Sequence, residues 1–218
     1  MLSKRLLSSL GIAAVALLVV FLWFRSGPVE AEIELVEDPT DTATEEVIAT
    51  NAQSGDLVIE VEGEANGVIV IDLLEDVAPG HAERISALAR SGAYDNVVFH
   101  RVIEGFMAQT GDVKFGKVDG EAQMAGRGGS DLPDLDAEFS DIPYDRGIVG
   151  MARSQNPNSA NSQFFIMFDA GHFLNGQYTV VGRVREGMAV VDKIKRGSGQ
   201  SGSVAGPQDV MRKVYIAE

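Results

Sequence analysis

Residues 99–109 decide the fold, and they read Phe-His-Arg-Val-Ile-Glu-Gly-Phe-Met-Ala-Gln. The run is strand-like and places one permanently charged donor, Arg101, among large apolar side chains. Because side chains alternate along a strand, we expect Phe99 and Arg101 on one face and His100 on the other. Gly105 then lets the chain bend back toward the arginine side. The expected result is an apolar pocket with a cationic rim, which suits chemistry that needs no nucleophile.

Two further runs come after this block, Gly150-Met151-Ala152-Arg153 and Asn161-Ser162-Gln163-Phe164-Phe165-Ile166. In order and nearly in spacing, the three runs closely resemble the signature of cyclophilin-type peptidyl-prolyl isomerases. The resemblance covers about residues 57–216. It implies a mainly β fold, a closed eight-stranded antiparallel barrel capped by two α-helices.

The pattern along the folded part predicts short strands and two helices. Leu57–Glu62 and Val68–Leu73 are β-branched runs separated by a segment that ends in Asn-Gly, which predicts a hairpin. One helix is predicted from Pro79 with a stop at Gly92, and a second over Met188–Ile194. Further strands are predicted at Val97–Val102, Phe164–Phe168, Thr179–Val184 and Val210–Ile216. Many short strands with two helices favour a barrel.

Composition excludes several classes of function. The chain has 218 residues, no cysteine and a net charge of −14. Without cysteine it has no disulfide, thiol nucleophile or thiolate metal site. Residues 26–83 contain 16 Asp and Glu and no Lys or Arg, whereas residues 84–218 carry 15 basic and 16 acidic residues. So acidic a chain is not expected to bind nucleic acid.

The N-terminal residues resemble a membrane segment. Lys4 and Arg5 precede an apolar run from Leu6 to Phe24, whose 19 residues would rise about 28 Å as a helix, close to the thickness of a bilayer core. The basic pair favours a cytoplasmic N-terminus and export of the chain beyond Arg25. The alternative is a cleaved signal peptide, because residues 29–31, Val-Glu-Ala, resemble a cleavage pattern.

Three regions are therefore expected. Residues 1–25 form a signal anchor or signal peptide, residues 26–55 an acidic disordered spacer, and residues 56–218 a cyclophilin-like prolyl isomerase domain. The expected location is the cell envelope. The protein would be anchored at the periplasmic face of the inner membrane, or free in the periplasm if the chain is cleaved after Ala31.

The resemblance also implies which residues form the site. Arg101 would donate toward the prolyl nitrogen, and His100 and Gln109 complete the catalytic group. From the residues alone, Arg101 could instead pair with a surface carboxylate, and His100 could be a structural imidazole. The substrate-binding residues implied by the family are Phe106, Met107, Ala152, Arg153, Gln163, Phe165, Phe173, Leu174 and Tyr178.

Two positions depart from the family pattern. Arg153 stands where Asn is more common, in a segment that pairs with the substrate main chain. Phe173 stands where drug-sensitive members usually have Trp, so the indole N–H donor is missing. The resemblance therefore implies weak inhibition by cyclosporin with turnover retained.

No cofactor or metal is expected. Residues 197–202, Gly-Ser-Gly-Gln-Ser-Gly, fit a dinucleotide-binding pattern, but no helix is predicted after them, so a flexible loop is predicted instead. The three histidines, His81, His100 and His172, lie far apart in the sequence and lack the spacing of metal ligands.

The expected function is peptidyl-prolyl cis–trans isomerisation in exported proteins. The partners would be proline-containing unfolded or partly folded polypeptides and, through the N-terminal helix, the membrane. We expect a monomer. Two alternatives stay open: a chaperone or scaffold that holds proline-containing segments with incidental turnover, and an envelope protein whose acidic spacer is the functional part.

Overall fold

The computed structural model describes residues 52–121 and 123–218. The predicted anchor or signal peptide, the cleavage pattern and most of the predicted spacer lie outside the described residues. Within the described ranges, no helix has both the length and the apolar character needed to cross a membrane.

Nine strands and two helices make up the described part. The helices are α1, Pro79–Arg90, and α2, Met188–Val191. A short 3-10 helix covers His172–Leu174. The strands are β1 Leu57–Glu62, β2 Gly67–Leu73, β3 Val97–Val98, β4 Arg101–Ile103, β5 Met107–Thr110, β6 Ile148–Met151, β7 Phe164–Met167, β8 Val180–Glu186 and β9 Val210–Ile216.

All nine strands belong to one antiparallel sheet in the order β3-β9-β1-β2-β8-β6-β7-β5-β4. Its two end strands, β3 and β4, are consecutive in the chain and separated only by Phe99 and His100. The sheet therefore curls until both ends meet on one continuous segment. The predicted mainly β, cyclophilin-like fold is confirmed, and the count of nine instead of eight arises because residues 97–103 are divided into two strands.

The strand patterns differ in how well they predict the elements. The bounds of β1 and β9 match the prediction, and apolar residues, several of them β-branched, recur along both strands. The patterns do not predict β5 or β6, which have four residues each. The second helix ends at Val191 rather than at the predicted Ile194.

The sheet buries apolar side chains on both faces. Along β7, Phe164 and Ile166 lie in the main core cluster, whereas Phe165 and Met167 lie in a second cluster. Since successive strand residues point to opposite faces, the main core fills the inside of the curled sheet and the second cluster lies on its outside. This outer cluster supports the candidate site.

Helix α1 packs on the sheet through Ala82, Ile85, Leu88 and Ala89, all buried. Pro79 occupies its first turn, where a missing N–H costs nothing. The carboxylate of Glu138 accepts the backbone N–H groups of Gly80 and His81 at 3.1 Å each. This contact ties the long segment between β5 and β6 to the start of the helix.

Candidate active site

The centre of the site is formed by residues that lie opposite one another on four neighbouring strands. Arg101 on β4 lies opposite Gln109 on β5, Gln109 lies opposite Phe165 on β7, and Phe165 lies opposite Gly150 on β6. Directly opposed residues of antiparallel strands point to the same face. The register therefore places a guanidinium, an amide and an aromatic ring side by side on the outer face.

Arg101, Gln109 and Phe165 line a cavity of about 290 Å³, which we call the apolar cavity. Phe106, Met107, Phe165 and Leu174 supply its apolar surface, and Arg101 lies at its rim. All of the lining residues were predicted site residues: Arg101, Phe106, Met107, Gln109, Ala152, Arg153, Phe165, Phe173, Leu174 and Tyr178.

The guanidinium of Arg101 is held by two oxygen acceptors, and its Nη1 also lies 3.9 Å from the Met107 sulfur. Its Nε donates to the backbone carbonyl of Ser201 at 3.0 Å, and its Nη1 donates to Oε1 of Gln109 at 3.2 Å. Burial lowers the pKa of Arg101, although a guanidinium stays protonated in proteins. Nη2 donates to none of the described residues, so this nitrogen can serve a substrate.

The amides of two glutamines continue from Arg101 into the protein. Nε2 of Gln109 donates to Oε1 of Gln163 at 2.9 Å, and Nε2 of Gln163 donates to the Gly128 carbonyl at 2.7 Å. The Gly128 N–H in turn donates to the buried carboxylate of Asp112 at 2.9 Å. Gln163 therefore does not line the apolar cavity but fixes the orientation of Gln109.

A second, more polar cavity of about 430 Å³ adjoins the first. The two cavities share Gln109, Ala152 and Arg153. Gln163 and residues 126–130 line the far side. A polypeptide could therefore place an apolar ring in the first cavity and its neighbouring residues along the second.

The side chain of Arg153 closes the rim between Tyr178 and the loop after β6. Its Nη2 donates to the Gln177 carbonyl at 2.8 Å, and its Cζ lies 4.3 Å from the centre of the Tyr178 ring. Three backbone carbonyls share this guanidinium, among them that of Ser154. Arg153 therefore acts on the shape of the rim rather than as a free cation.

The floor of the cavity contains residues that the sequence did not single out. The Tyr144 ring stacks on Phe165 with centroids 5.8 Å apart. A Cβ at Gly150 would lie 2.5 Å from both the Tyr144 hydroxyl and Phe165 Cζ, so only glycine fits beneath the two rings. The buried Tyr144 hydroxyl has no hydrogen-bond partner in the described part of the chain. A lone Tyr and Gly carry no sequence signal for such a role.

The structure does not bring His100 to the cavity. His100 is buried, and Gly126 approaches its ring so closely that a Cβ there would lie 2.8 Å from Cδ2. Burial lowers the pKa of His100 to about 4, against the opposing effect of the Asp112 carboxylate. The strand is interrupted at Phe99 and His100, so Phe99 packs in the main core with Val102 rather than beside Arg101.

The described residues hold no cluster of His, Cys, Asp and Glu that could bind a metal ion. His81 pairs with Glu138, with Nδ1 2.5 Å from Oε2, and the exposed His172 pairs with Asp145 at 2.7 Å. Both histidines thus have carboxylate partners outside the apolar cavity.

Residues 57–217 match the family described as cyclophilin type peptidyl-prolyl cis-trans isomerase/CLD. The chain belongs to the cyclophilin family. A probable peptidyl-prolyl cis-trans isomerase of Brucella suis is 59% identical over 156 residues, which cover 70% of this chain and 80% of that protein. This cyclophilin is accordingly a peptidyl-prolyl cis–trans isomerase.

Solved structures agree with this assignment. A Cryptosporidium parvum cyclophilin, crystallised in the presence of the dipeptide Ala-Pro, superposes with a TM-score of 0.63 at 28% identity, covering 75% of this chain and 99% of that one. Cyclophilin AquaCyp293 from Hirschia baltica superposes with a TM-score of 0.61 at 26% identity, covering 75% and 74%. The cyclophilin fold of this chain thus extends over most of its length.

Proposed function

We propose that this cyclophilin accelerates X-Pro rotation by gripping the proline ring in the apolar cavity while Arg101 donates to the prolyl nitrogen. The observation that carries the proposal is the Arg101 guanidinium, fixed by Ser201 and Gln109 at the rim of a cavity walled by Phe106 and Phe165. No bond need be broken, so a nucleophile is not required.

The physical basis is selective stabilisation of the twisted amide. Planar amides resist rotation by about 18–20 kcal/mol because the nitrogen lone pair is delocalised. Twisting localises that lone pair, and a donor placed there stabilises the twisted state more than either planar isomer. One hydrogen bond involving a charged group contributes about 1.5–3 kcal/mol, or roughly ten- to 150-fold in rate. The grip on the ring and the partial exclusion of water must supply the rest.

Replacing Arg101 tests this mechanism. Exchange of an X-Pro peptide measured by NMR should slow by about ten- to a hundredfold in Arg101→Ala, with peptide affinity changed only a few fold. Arg101→Lys should be nearly as slow, because an ammonium cannot contact Ser201 and Gln109 in one rigid plane.

Phe165→Ala is the matched comparison. It should weaken peptide binding as well as turnover, since the apolar wall grips the planar and the twisted states alike. Near-normal exchange in a folded Arg101→Ala protein would overturn the donor mechanism and favour the chaperone or scaffold alternative.

We further propose that the clients are exported polypeptides and that the enzyme is held at the periplasmic face of the inner membrane. The support is the apolar run from Leu6 to Phe24 behind Lys4 and Arg5. The protein should remain in the membrane fraction after a high-salt wash, because salt screens interactions between charges and does not release an apolar segment from the bilayer. So acidic a chain has no electrostatic means of attachment. A soluble protein whose mature N-terminus is Glu32 would instead establish cleavage after Ala31.

A further inference from the structure

The glycine- and serine-rich residues 197–204 are not a free loop. They lie along the edge of β4 that does not pair with β5. The Val102 N–H donates to the Gly202 carbonyl at 2.7 Å, and the Gly197 N–H donates to the Val102 carbonyl at 2.9 Å. The Val204 N–H donates to the His100 carbonyl at 3.2 Å. The segment therefore extends the sheet beside the strand that carries Arg101.

This segment also contacts the Arg101 side chain. The Ser201 carbonyl accepts the Nε–H at 3.0 Å, whereas Gln109 accepts from a different nitrogen, Nη1. A guanidinium is planar, so two acceptors on different nitrogens fix both the position and the tilt of that plane. The acceptor at Ser201 is a main-chain atom, and its place depends on the path of the backbone through residues 197–204.

Glycine at position 202 allows this path. Gly202 has φ +67°, and a Cβ there would collide with the Ile103 side chain. Gly199 has nearly the same dihedral, φ +62°, yet nothing lies within 4 Å of its Cβ position. Both glycines meet the same left-handed backbone requirement, but only Gly202 is needed for close contact with β4.

We propose that residues 197–204 are a positioning segment for Arg101, in which the Ser201 carbonyl orients the guanidinium toward the bound prolyl nitrogen. The proposal rests on the donor role of Arg101 proposed above. It assigns a part in the reaction to a segment whose sequence predicts only a flexible loop.

The test compares Gly202→Ala with Gly199→Ala, which impose similar backbone strain. In Gly202→Ala the added methyl would overlap the Ile103 side chain on β4. We expect the segment to shift away from β4, and kcat should then fall roughly tenfold relative to Gly199→Ala, the factor for one weakened hydrogen bond to a charged group. KM should change less than about twofold, because the apolar wall is untouched.

The same replacements in an Arg101→Ala background separate positioning from general damage. If the segment acts through Arg101, Gly202→Ala should cause no further loss there. Equal turnover in Gly202→Ala and Gly199→Ala, or an equal loss in both backgrounds, would overturn the proposal. Failure of the unmodified protein to catalyse exchange would overturn the proposed function itself, and this inference with it.

A measurement on the unmodified protein covers the case in which Gly202→Ala does not fold. The Nε–H of Arg101 should exchange with water more slowly in NMR spectra than that of Arg90, which is exposed on α1. An equally fast exchange would show that the hydrogen bond to Ser201 is absent, and would contradict the proposal.

Discussion

His100 should make this cyclophilin sensitive to acid. His100 directly precedes Arg101 in the sequence. Its imidazole is buried, and the segment at Gly126 packs against the ring. Burial lowers its pKa to about 4; the Asp112 carboxylate opposes this effect and the Arg101 guanidinium adds to it. The folded protein therefore keeps His100 neutral under conditions in which the unfolded chain would already protonate it.

The size of the effect can be worked out from the two pKa values. A histidine in an unfolded chain has a pKa of about 6.5, and that of folded His100 is about 4. Between these values the unfolded state binds more protons, so the unfolding free energy decreases as the pH falls through this window. The full loss is about 3 kcal/mol below pH 4, of which about 2 kcal/mol falls between pH 7.5 and 5.

Urea unfolding at a series of pH values between 7.5 and 5 would measure this loss. The contribution of His100 is the difference in pH dependence between the unmodified protein and His100→Phe, with His100→Gln as a second variant. His172→Gln, at a side chain that is 60% exposed, is the comparison variant for loss of a histidine outside the core. If His100→Phe kept the same pH dependence as the unmodified protein, the assignment to His100 would be refuted.

Three further outcomes are expected. Glu138→Gln should lower the unfolding free energy by about 1–2 kcal/mol, because the two N–H groups at the start of α1 bond to different carboxylate oxygens and an amide replaces one of these oxygens with an NH2 donor; an unchanged urea midpoint would contradict this. Tyr144→Phe should raise it by roughly 1 kcal/mol by removing an unpaired buried hydroxyl, and a loss of stability would show that the hydroxyl has a partner. Cyclosporin should inhibit the unmodified enzyme weakly. It should inhibit the Phe173→Trp variant more strongly, with turnover unchanged, since the indole restores a donor at an exposed rim position. Nanomolar inhibition of the unmodified enzyme would contradict this prediction.

The long strands could be predicted from local sequence patterns, and the cavity wall could be predicted from the family resemblance. Apolar residues, several of them β-branched, recur along β1 and β9 and mark the bounds of both strands. By contrast, β7 is apolar at every position, so its sequence alone does not separate Phe165 from the main core. The family resemblance supplied every residue that lines the apolar cavity. Short strands such as β6 carry too few residues for a period to be recognised.

The remaining parts of the site have no residue-type signal. The acceptor at Ser201 is a backbone carbonyl, which any residue could supply, and its role depends on a contact 100 positions away from Arg101. The same holds for Gly150, whose lack of a side chain matters only because Tyr144 and Phe165 meet above it. Such features depend on tertiary contacts, which a periodicity does not encode.

The division of residues 97–103 connects the fold to the chemistry. Because the segment pairs first with β9 and then with β5, each half has a strand partner on one side only. The open edge of β3 is covered where the Val98 N–H donates to the Gly116 carbonyl at 2.8 Å, and that of β4 is covered by residues 197–204. An unpaired strand edge would expose backbone donors and acceptors, so closing the sheet at this point requires a covering segment on each side. Arg101 stands where β4 begins, and the segment that the closure requires is therefore the one in reach of its guanidinium.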